Sequence, residues 1–566
     1  MRGSERTVQA DRSSFKLNEI DGFYSRLAGF FVKLVGEMNK LARLRKNLLS
    51  PVSAILAIIA AILLILAFPD FELWFLAWVA LAPLLVAVDR EKDSVVRSFL
   101  VGWLFGMVFF FGACWWLTFA PITYAEMPAP LVYFFMFGVA SAVGIFPGIF
   151  GALLSILLRR FGSYAVLSAP FLWVFTEFLR IWLTGNNWNA IGYSQAFKVG
   201  IVQLATVGGV YAVGFLLLLF NSYVAFKLLQ FIGLTRNGPD LKQKDWIVLA
   251  TVFFFVVFLF GLSELTAAPA RPKQNIENNV IAVQPNVPMN GLTFEKYQQL
   301  LERHLELSEN ALQQRPANDP PATTVIFPES PMIFQYGRDR DLQKFLRDFA
   351  VRNKTAVIFN SAEMTPDDKR ILNSAVMIDA KGEKIAQYDK IHLLPFGEYM
   401  PLPEPLASQM PAFVGSFQFG DEYDLLPFGA AKGGVMICFE SHFGELSREY
   451  ARRGADVLIE MTNDGYLGNT PVLRQHLANS VFRAVETHRP LLRVTNVGVT
   501  AYIDEDGEVS DAAGVYTEAA RVWTVSKSDG RPTLYVKYGD WWAWLCSIVS
   551  LALLVFGFWK GKKIGE

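Results

Sequence analysis

Long apolar runs and short alternating ones divide this chain into two unlike halves. From about residue 50 to 265, apolar stretches recur at lengths near the roughly 20 residues that a membrane-spanning helix needs. Seven are read, at about 51–68, 72–88, 98–120, 130–158, 164–184, 200–230 and 246–264, with an eighth at about 541–558. The fourth and sixth are long enough to be tilted, or broken at Gly and Pro. Phe68-Pro69-Asp70-Phe71 is a tight turn that joins the first two as a hairpin. From about 278 the pattern changes. Strands are predicted at Val280–Val283, Thr324–Phe327, Ala356–Phe359, Ala375–Ile378, Val435–Cys438, Val457–Glu460 and Leu492–Val494. Amphipathic helices are predicted at Phe294–Gln313, Arg340–Arg352, Gly444–Arg453 and Pro471–Glu486. Strands alternating with helices of this size predict an α/β domain. Residues 395–428 break the pattern, and so long a loop in a compact domain is expected to be functional or mobile.

Charge gives the apolar runs a direction, because Lys and Arg concentrate in cytoplasmic loops. Basic residues precede the first run (Lys40, Arg43, Arg45, Lys46) and follow the second (Arg90, Lys92, Arg97) and fourth (Arg159, Arg160). They also follow the sixth (Lys227, Arg236, Lys242, Lys244) and the eighth (Lys560, Lys562, Lys563). The alternate loops hold almost none, Lys198 being the exception. On an eight-span count every basic loop falls on one side. Four regions follow: a polar cytoplasmic extension at 1–47 and a seven-helix membrane domain at 48–265, then an α/β domain at 266–540 and an eighth span with a basic cytoplasmic tail at 541–566. The α/β domain is placed on the side opposite both termini, the periplasm or cell exterior of a bacterium. Residues 1–47 lack the apolar core and cleavage site of a signal peptide. Residues 28–38 read either as a short helix on the membrane surface or as part of a disordered tail.

Composition adds two exclusions. Only 18% of the 566 residues are charged, against about a quarter in an average soluble protein, and the deficit lies in the apolar runs. With 52 basic and 52 acidic residues the net charge is zero, and no basic face accompanies a nucleic-acid motif, so nucleic acid is not an expected partner. Within the fifth run, Glu177 and Arg180 share a helix face. Ionisable groups at membrane depth are costly and usually paired, so a structural pair is expected, with a lipid-headgroup site as the alternative. The amide-rich and aromatic residues 186–195 are expected at the outer interface, where they could line a lipid entrance.

Candidate chemistry gathers in the α/β half. Cys438 is the one cysteine outside the apolar runs that hold Cys114 and Cys546. A thiol attacks as thiolate, and a free one has a pKa near ~8.5, so it needs a base or a positive environment. Cys438 ends a predicted strand before a helix, whose N-terminus would favour the anion. Glu329, in Phe327-Pro328-Glu329-Ser330, suits the general base. Lys390, in Tyr388-Asp389-Lys390, supplies a fixed charge for a tetrahedral oxyanion. Glu398 could orient Lys390 or share the base work. Such a set can take an acyl group onto sulfur and pass it on, and beside so many apolar runs a lipid donor is expected. A histidine base, His392 or His442, is the alternative. Metal binding is not expected: the five histidines (His304, His392, His442, His476, His488) show no ligand spacing, and the α/β half has no second cysteine.

These residues resemble those of the nitrilase (carbon–nitrogen hydrolase) superfamily. With the apolar runs included, residues from about 50 to 560 resemble the apolipoprotein N-acyltransferase family. The matching stretches are Gly192-Tyr193-Ser194-Gln195, Phe327-Pro328-Glu329-Ser330, Tyr388-Asp389-Lys390 with Leu394-Pro395-Phe396-Gly397-Glu398-Tyr399, and Ile437-Cys438-Phe439-Glu440. Further along come Thr462-Asn463-Asp464, Gln475-His476, Arg483-Ala484-Val485-Glu486 and Thr495-Asn496-Val497-Gly498-Val499-Thr500. The resemblance implies an α-β-β-α sandwich beside an eight-helix membrane bundle, with Glu329 as base, Lys390 as oxyanion stabiliser and Cys438 as nucleophile. It implies Glu398 and Glu440 as supporting carboxylates. It also implies that Met400, Leu402, Phe413 and Phe417, in mobile arms near the membrane, touch lipid. The implied partners are the membrane, a phospholipid acyl donor and a diacylated apolipoprotein acceptor, with no cofactor and a monomeric enzyme.

Three positions depart from the family pattern. Phe294 stands where a tryptophan is expected, Phe439 where tyrosine often follows the cysteine, and Gly465-Tyr466-Leu467-Gly468 where the turn usually carries Trp-Phe. Two other functions compete with acyl transfer: a membrane-tethered amidase with water as acceptor, and a transporter or interaction protein with a degenerate enzyme-like domain.

Overall fold

A computed structural model describes residues 48–69, 71–233, 276–314, 322–400, 417–528 and 530–562. The first helix, α1 (Pro51–Ala67), begins where the Ser50 hydroxyl accepts from Ser53 N at 3.3 Å, with Pro in its first turn. It is followed by α2 (Ala82–Arg90), α3 (Val95–Ala113), α4 (Ala129–Val143), α5 (Ile145–Phe161), α6 (Ala169–Thr184) and α7 (Ala205–Phe231). Four helical stretches, Val95–Ala113, Ala129–Thr184, Ala205–Phe231 and Trp541–Trp559, are long and apolar enough to cross a membrane by length and composition; Pro51–Ala67 is apolar but shorter.

The expected count of eight spans is therefore not reached among the described residues. The run at 72–88 is not one helix. It is a 3-10 turn, Trp74–Trp78, and then α2, whose nine residues start at a proline-bearing first turn. Hydropathy sees the apolar run but not this interruption. The fourth run breaks at Gly144 into α4 and α5, and α7 departs from helical geometry at Gly208 and Gly209. The run at 246–264 and the segment 28–38 lie outside the described residues. Small residues bring α3 against α5: a Cβ on Gly102 would collide with the Pro147 carbonyl, and one on Gly151 with that of Ser98.

The second half holds two sheets. The first contains β1 (Ile276–Gln284), β2 (Thr323–Ile326), β3 (Ala356–Met364), β4 (Ile371–Ile378), β5 (Lys384–Asp389), β6 (Phe417–Gln418) and β13 (Ala519–Ser526), in the order β13-β1-β2-β3-β4-β5 with β6 on β4. The second contains β7 (Leu425–Phe428), β8 (Ala431–Ile437), β9 (Val457–Thr462), β10 (Leu491–Thr495), β11 (Ala501–Ile503) and β12 (Val509–Ser510), in the order β12-β11-β10-β9-β8-β7. Each sheet has a parallel centre, β1-β2-β3 and β8-β9-β10, and antiparallel outer strands, except that β6 lies parallel to β4. Helices α8 (Phe294–Gln313) and α9 (Arg340–Asn353) bury their apolar stripes with the first sheet. Helices α10 (Gly444–Arg452) and α11 (Val472–Thr487) pack with the second. The last helix, α12, runs Trp541–Lys562. The loop expected at 395–428 contributes β6 and β7; its residues 401–416 lie outside the described set.

Helix α11 is buried along almost its whole surface, Arg474 being the residue left out. A helix buried on all sides needs partners on all sides, polar ones for its polar residues. Here the second sheet lies on one side and the membrane-type helices on the other, in one continuous apolar core. Gln475 ties the two: its Nε2 donates to Pro69 O and Ala113 O at 3.0 Å each, and its Oε1 accepts from Trp116 Nε1, Trp188 Nε1 and Asn189 Nδ2 at 3.1, 3.0 and 3.4 Å. Glu177 and Arg180 interact electrostatically, as expected of a structural pair, and both also hold the loop at 186–191. Glu177 accepts from Ile191 N at 3.0 Å, and Arg180 donates to Trp188 O at 2.9 Å and Asn187 Oδ1 at 2.8 Å. That loop is buried, and Asn187 N donates to His442 Nε2 at 2.8 Å. It is thus a seam between the halves and not an open entrance.

Candidate active site

Strand direction gathers the candidate residues at one end of the sandwich. Glu329 follows β2, Lys390 follows β5, Cys438 follows β8 and Asn463 follows β9, each at a C-terminal strand end. The strand expected to include Cys438 stops at Ile437, and Cys438 opens a 3-10 turn, Cys438–His442, that leads into α10. Its φ is 54°, a left-handed conformation that costs a residue with a Cβ and persists only where the surroundings enforce it. The surroundings here are polar. Glu440 Oε2 accepts from Ile437 N at 2.8 Å, and Arg483 Nη1 donates to the carbonyls of Ser441 and His442 at 3.2 and 3.0 Å.

The structure brings Glu329, Lys390, Glu398 and Cys438 together. Lys390 is 1% exposed, with Nζ 2.9 and 2.8 Å from the two Glu398 oxygens. Asn373 Nδ2 donates to Glu398 Oε1 at 2.7 Å and to Glu329 Oε1 at 3.2 Å. Asn463 N donates to Glu329 Oε2 at 3.2 Å, and the same carboxylate lies within hydrogen-bonding reach of the Cys438 thiol. Glu440 does a different job. Its Oε1 accepts from Tyr388 Oη at 2.7 Å, Ile391 N at 2.7 Å and His392 N at 3.0 Å, so it straps the Lys390 segment to the turn after Cys438.

Burial dominates the protonation of this group. It pushes the Cys438 thiol well above its usual range, the Glu329 charge adds to that, and Lys390 opposes both. The thiolate expected from a helix N-terminus is therefore not the resting form, and the proton must leave as the sulfur attacks. Burial also raises Glu329, with Lys390 pulling down and Glu398 pushing up. For Lys390, burial works against the charge, but Glu398 and Glu329 outweigh it and hold the ammonium above its ordinary value. Burial brings Glu440 up to about 7 against its hydrogen bonds and Lys390.

The histidine alternatives are placed otherwise. His392 stacks on Phe443 with ring centroids 4.0 Å apart, and His442 Nε2 is occupied by Asn187 N–H. Burial lowers both, His392 to about 4. Of the four lipid-contact candidates, Met400 is half-buried and Phe417 opens β6, where its N–H donates to Glu398 O at 3.0 Å. Leu402 and Phe413 lie outside the described residues. Phe294 is 81% exposed at the start of α8, Phe439 stacks on Trp188 at 6.4 Å, and Tyr466 meets Tyr124 edge-on at 6.4 Å. Asn373, which bridges the two glutamates, had no signal in the sequence. Asn463 and His476 stood inside quoted stretches without a role.

Comparison with known proteins places both halves of the chain. Residues 60–223 match the apolipoprotein N-acyltransferase N-terminal domain family, and residues 280–533 the carbon-nitrogen hydrolase family. An apolipoprotein N-acyltransferase of Geobacter metallireducens is 31% identical over 87% of this chain and 93% of its own. Those of Pasteurella multocida and Thermotoga maritima are each 27% identical, over 87% and 88% of this chain and 93% and 92% of theirs. A solved amidase from Nesterenkonia is 18% identical over 48% of this chain and 96% of its own, with a TM-score of 0.35. By its similarity along both halves, this chain belongs to the apolipoprotein N-acyltransferase family.

Proposed function

We propose that the protein transfers a fatty acyl chain from a membrane phospholipid, through a thioester on Cys438, to the α-amine of a diacylglyceryl-cysteine at a lipoprotein N-terminus. The observation that carries this reading is the convergence of Glu329, Lys390 and Cys438 beside a half built of apolar helices. In the first step Cys438 Sγ attacks the ester carbonyl and Glu329 takes the thiol proton. Lys390 faces the oxygen that becomes negative. Collapse breaks the ester C–O bond, the leaving alkoxide takes the proton from Glu329, and lysophospholipid departs. In the second step the amine attacks the thioester carbonyl, Glu329 accepts the amine proton, and the sulfur leaves and is reprotonated as the amide forms. Glu398 holds Lys390 between the carboxylates. Phospholipid donor and diacylated acceptor are the partners, with a single chain sufficient and no cofactor in either step. The basic loops support eight crossings of a bacterial cytoplasmic membrane, with both termini inside and the catalytic half on the periplasmic side.

Purified protein incubated with phospholipid labelled in its acyl chain is expected to carry label on Cys438 that hydroxylamine removes. A diacylated lipopeptide should discharge it as a triacylated product, with water doing so slowly. Free fatty acid as the main product would instead mark the amidase-like use of water. A wild-type protein that takes no label would sink the reading.

A further inference from the structure

Helix α11 turns one face toward the nucleophile, and His476 on that face takes no part in the reaction above. Its ring is 4% exposed. Nδ1 lies 2.8 Å from Asp464 Oδ1, and Nε2 lies 3.1 Å from the Cys438 carbonyl oxygen and 3.0 Å from Glu460 Oε1. All three partners are acceptors. A neutral imidazole has one N–H, so either tautomer would aim a lone pair at an acceptor, whereas the imidazolium donates from both nitrogens.

The surrounding charges favour that form. Glu460 reaches the ring from β9, Asp464 from the turn after it, and Arg493 from β10, donating to Asp464 Oδ2 at 2.7 Å and contacting Glu460. His442 faces it from the turn after Cys438, and the Trp188 ring covers it at 5.8 Å. Burial and Arg493 oppose the charge, but Glu460 and Asp464 outweigh them and bring His476 up to about 9. The Cys438 carbonyl that His476 reaches belongs to the residue with φ of 54° and also accepts from the Ser441 hydroxyl at 3.5 Å.

We propose that His476 is a positioning residue for the nucleophile: as an imidazolium tied to Asp464 and Glu460, it grips the Cys438 carbonyl and fixes the backbone from which the thiol faces Glu329 and Lys390. This rests on the reading of Cys438 as the nucleophile. A displacement of about 1 Å at a reacting atom can cost about 100-fold in rate, so loss of the grip should be read in the chemical step.

The test uses full-length protein in detergent and phospholipid labelled in its acyl chain. In His476→Gln the single-turnover rate of Cys438 labelling is expected to fall about 100-fold, while the lipid concentration for half-saturation stays unchanged. Alkylation of Cys438 by iodoacetamide, followed by mass spectrometry, should move to higher pH, because a positive charge near the sulfur is gone. Wild-type labelling with an unchanged alkylation curve overturns the proposal, as does a rise in half-saturation with an unchanged rate. Wild-type protein that takes no acyl label would defeat the acyl-transfer reading instead, and the alkylation curve would still judge His476. Should the variant fail to fold, 15N-histidine spectra of the wild type decide: a ring protonated on both nitrogens at about pH 8 is expected, and its absence overturns the proposal.

Discussion

At the scale of single residues, the site keeps its proton where it is needed by desolvation. Glu329 is raised by burial and by Glu398, with Lys390 in opposition. As a base it must be ionised to act, so acidification should switch it off earlier than it would an ordinary glutamate near ~4.3. Single-turnover labelling of Cys438, followed from about pH 8 downward, is expected to decline at a midpoint above that value; a plateau reaching below it would contradict the assignment. Lys390 stays charged throughout, because the two glutamates hold its ammonium. Glu398 was legible as its partner only through spacing and resemblance. Asn373, which joins Glu398 to Glu329, was not legible at all. An asparagine in a strand has no periodic signature, and its role comes from which strand lies beside it.

At the scale of elements, helix α11 decides how the halves meet. Gln475 satisfies groups from three separate stretches of the apolar half. In Gln475→Leu the Pro69 carbonyl and the Trp188 indole lose this bond, at about 1–3 kcal/mol for each left unpaired, while Trp116 keeps Ala113 O and Asn189 keeps Cys114. The expected readout is a lower unfolding temperature of the full-length protein in detergent, and an unchanged value would refute the keystone role. The sequence pattern placed α8 at Phe294–Gln313, where the Thr293 hydroxyl accepts from Lys296 N at 3.3 Å and an apolar stripe recurs. It misplaced the run at 72–88, since a hydropathy average does not register a 3-10 turn followed by a proline-started helix. It also carried the strand of Val435–Cys438 one residue too far, because the reversal at Cys438 is held by Glu440 within the turn itself and by Arg483 from α11.

At the scale of the whole molecule, the catalytic sandwich is not self-sufficient. The side of α11 turned from the sheet is covered by the apolar helices, and Trp541 Nε1 donates to Val207 O at 2.7 Å just before the last helix enters them. Residues 276–540 expressed alone are expected to aggregate without detergent, as judged by size exclusion, because removing the partner exposes a contiguous apolar face. A monodisperse species in plain buffer would show the opposite. The buried seam at Asn187–Gln195 has a wider consequence. Since it contacts both the turn after Cys438 and the helices around it, the two halves cannot drift independently. A hybrid that joins one relative's anchor to another's sandwich would have to move this loop and α11 together, as a single inherited block.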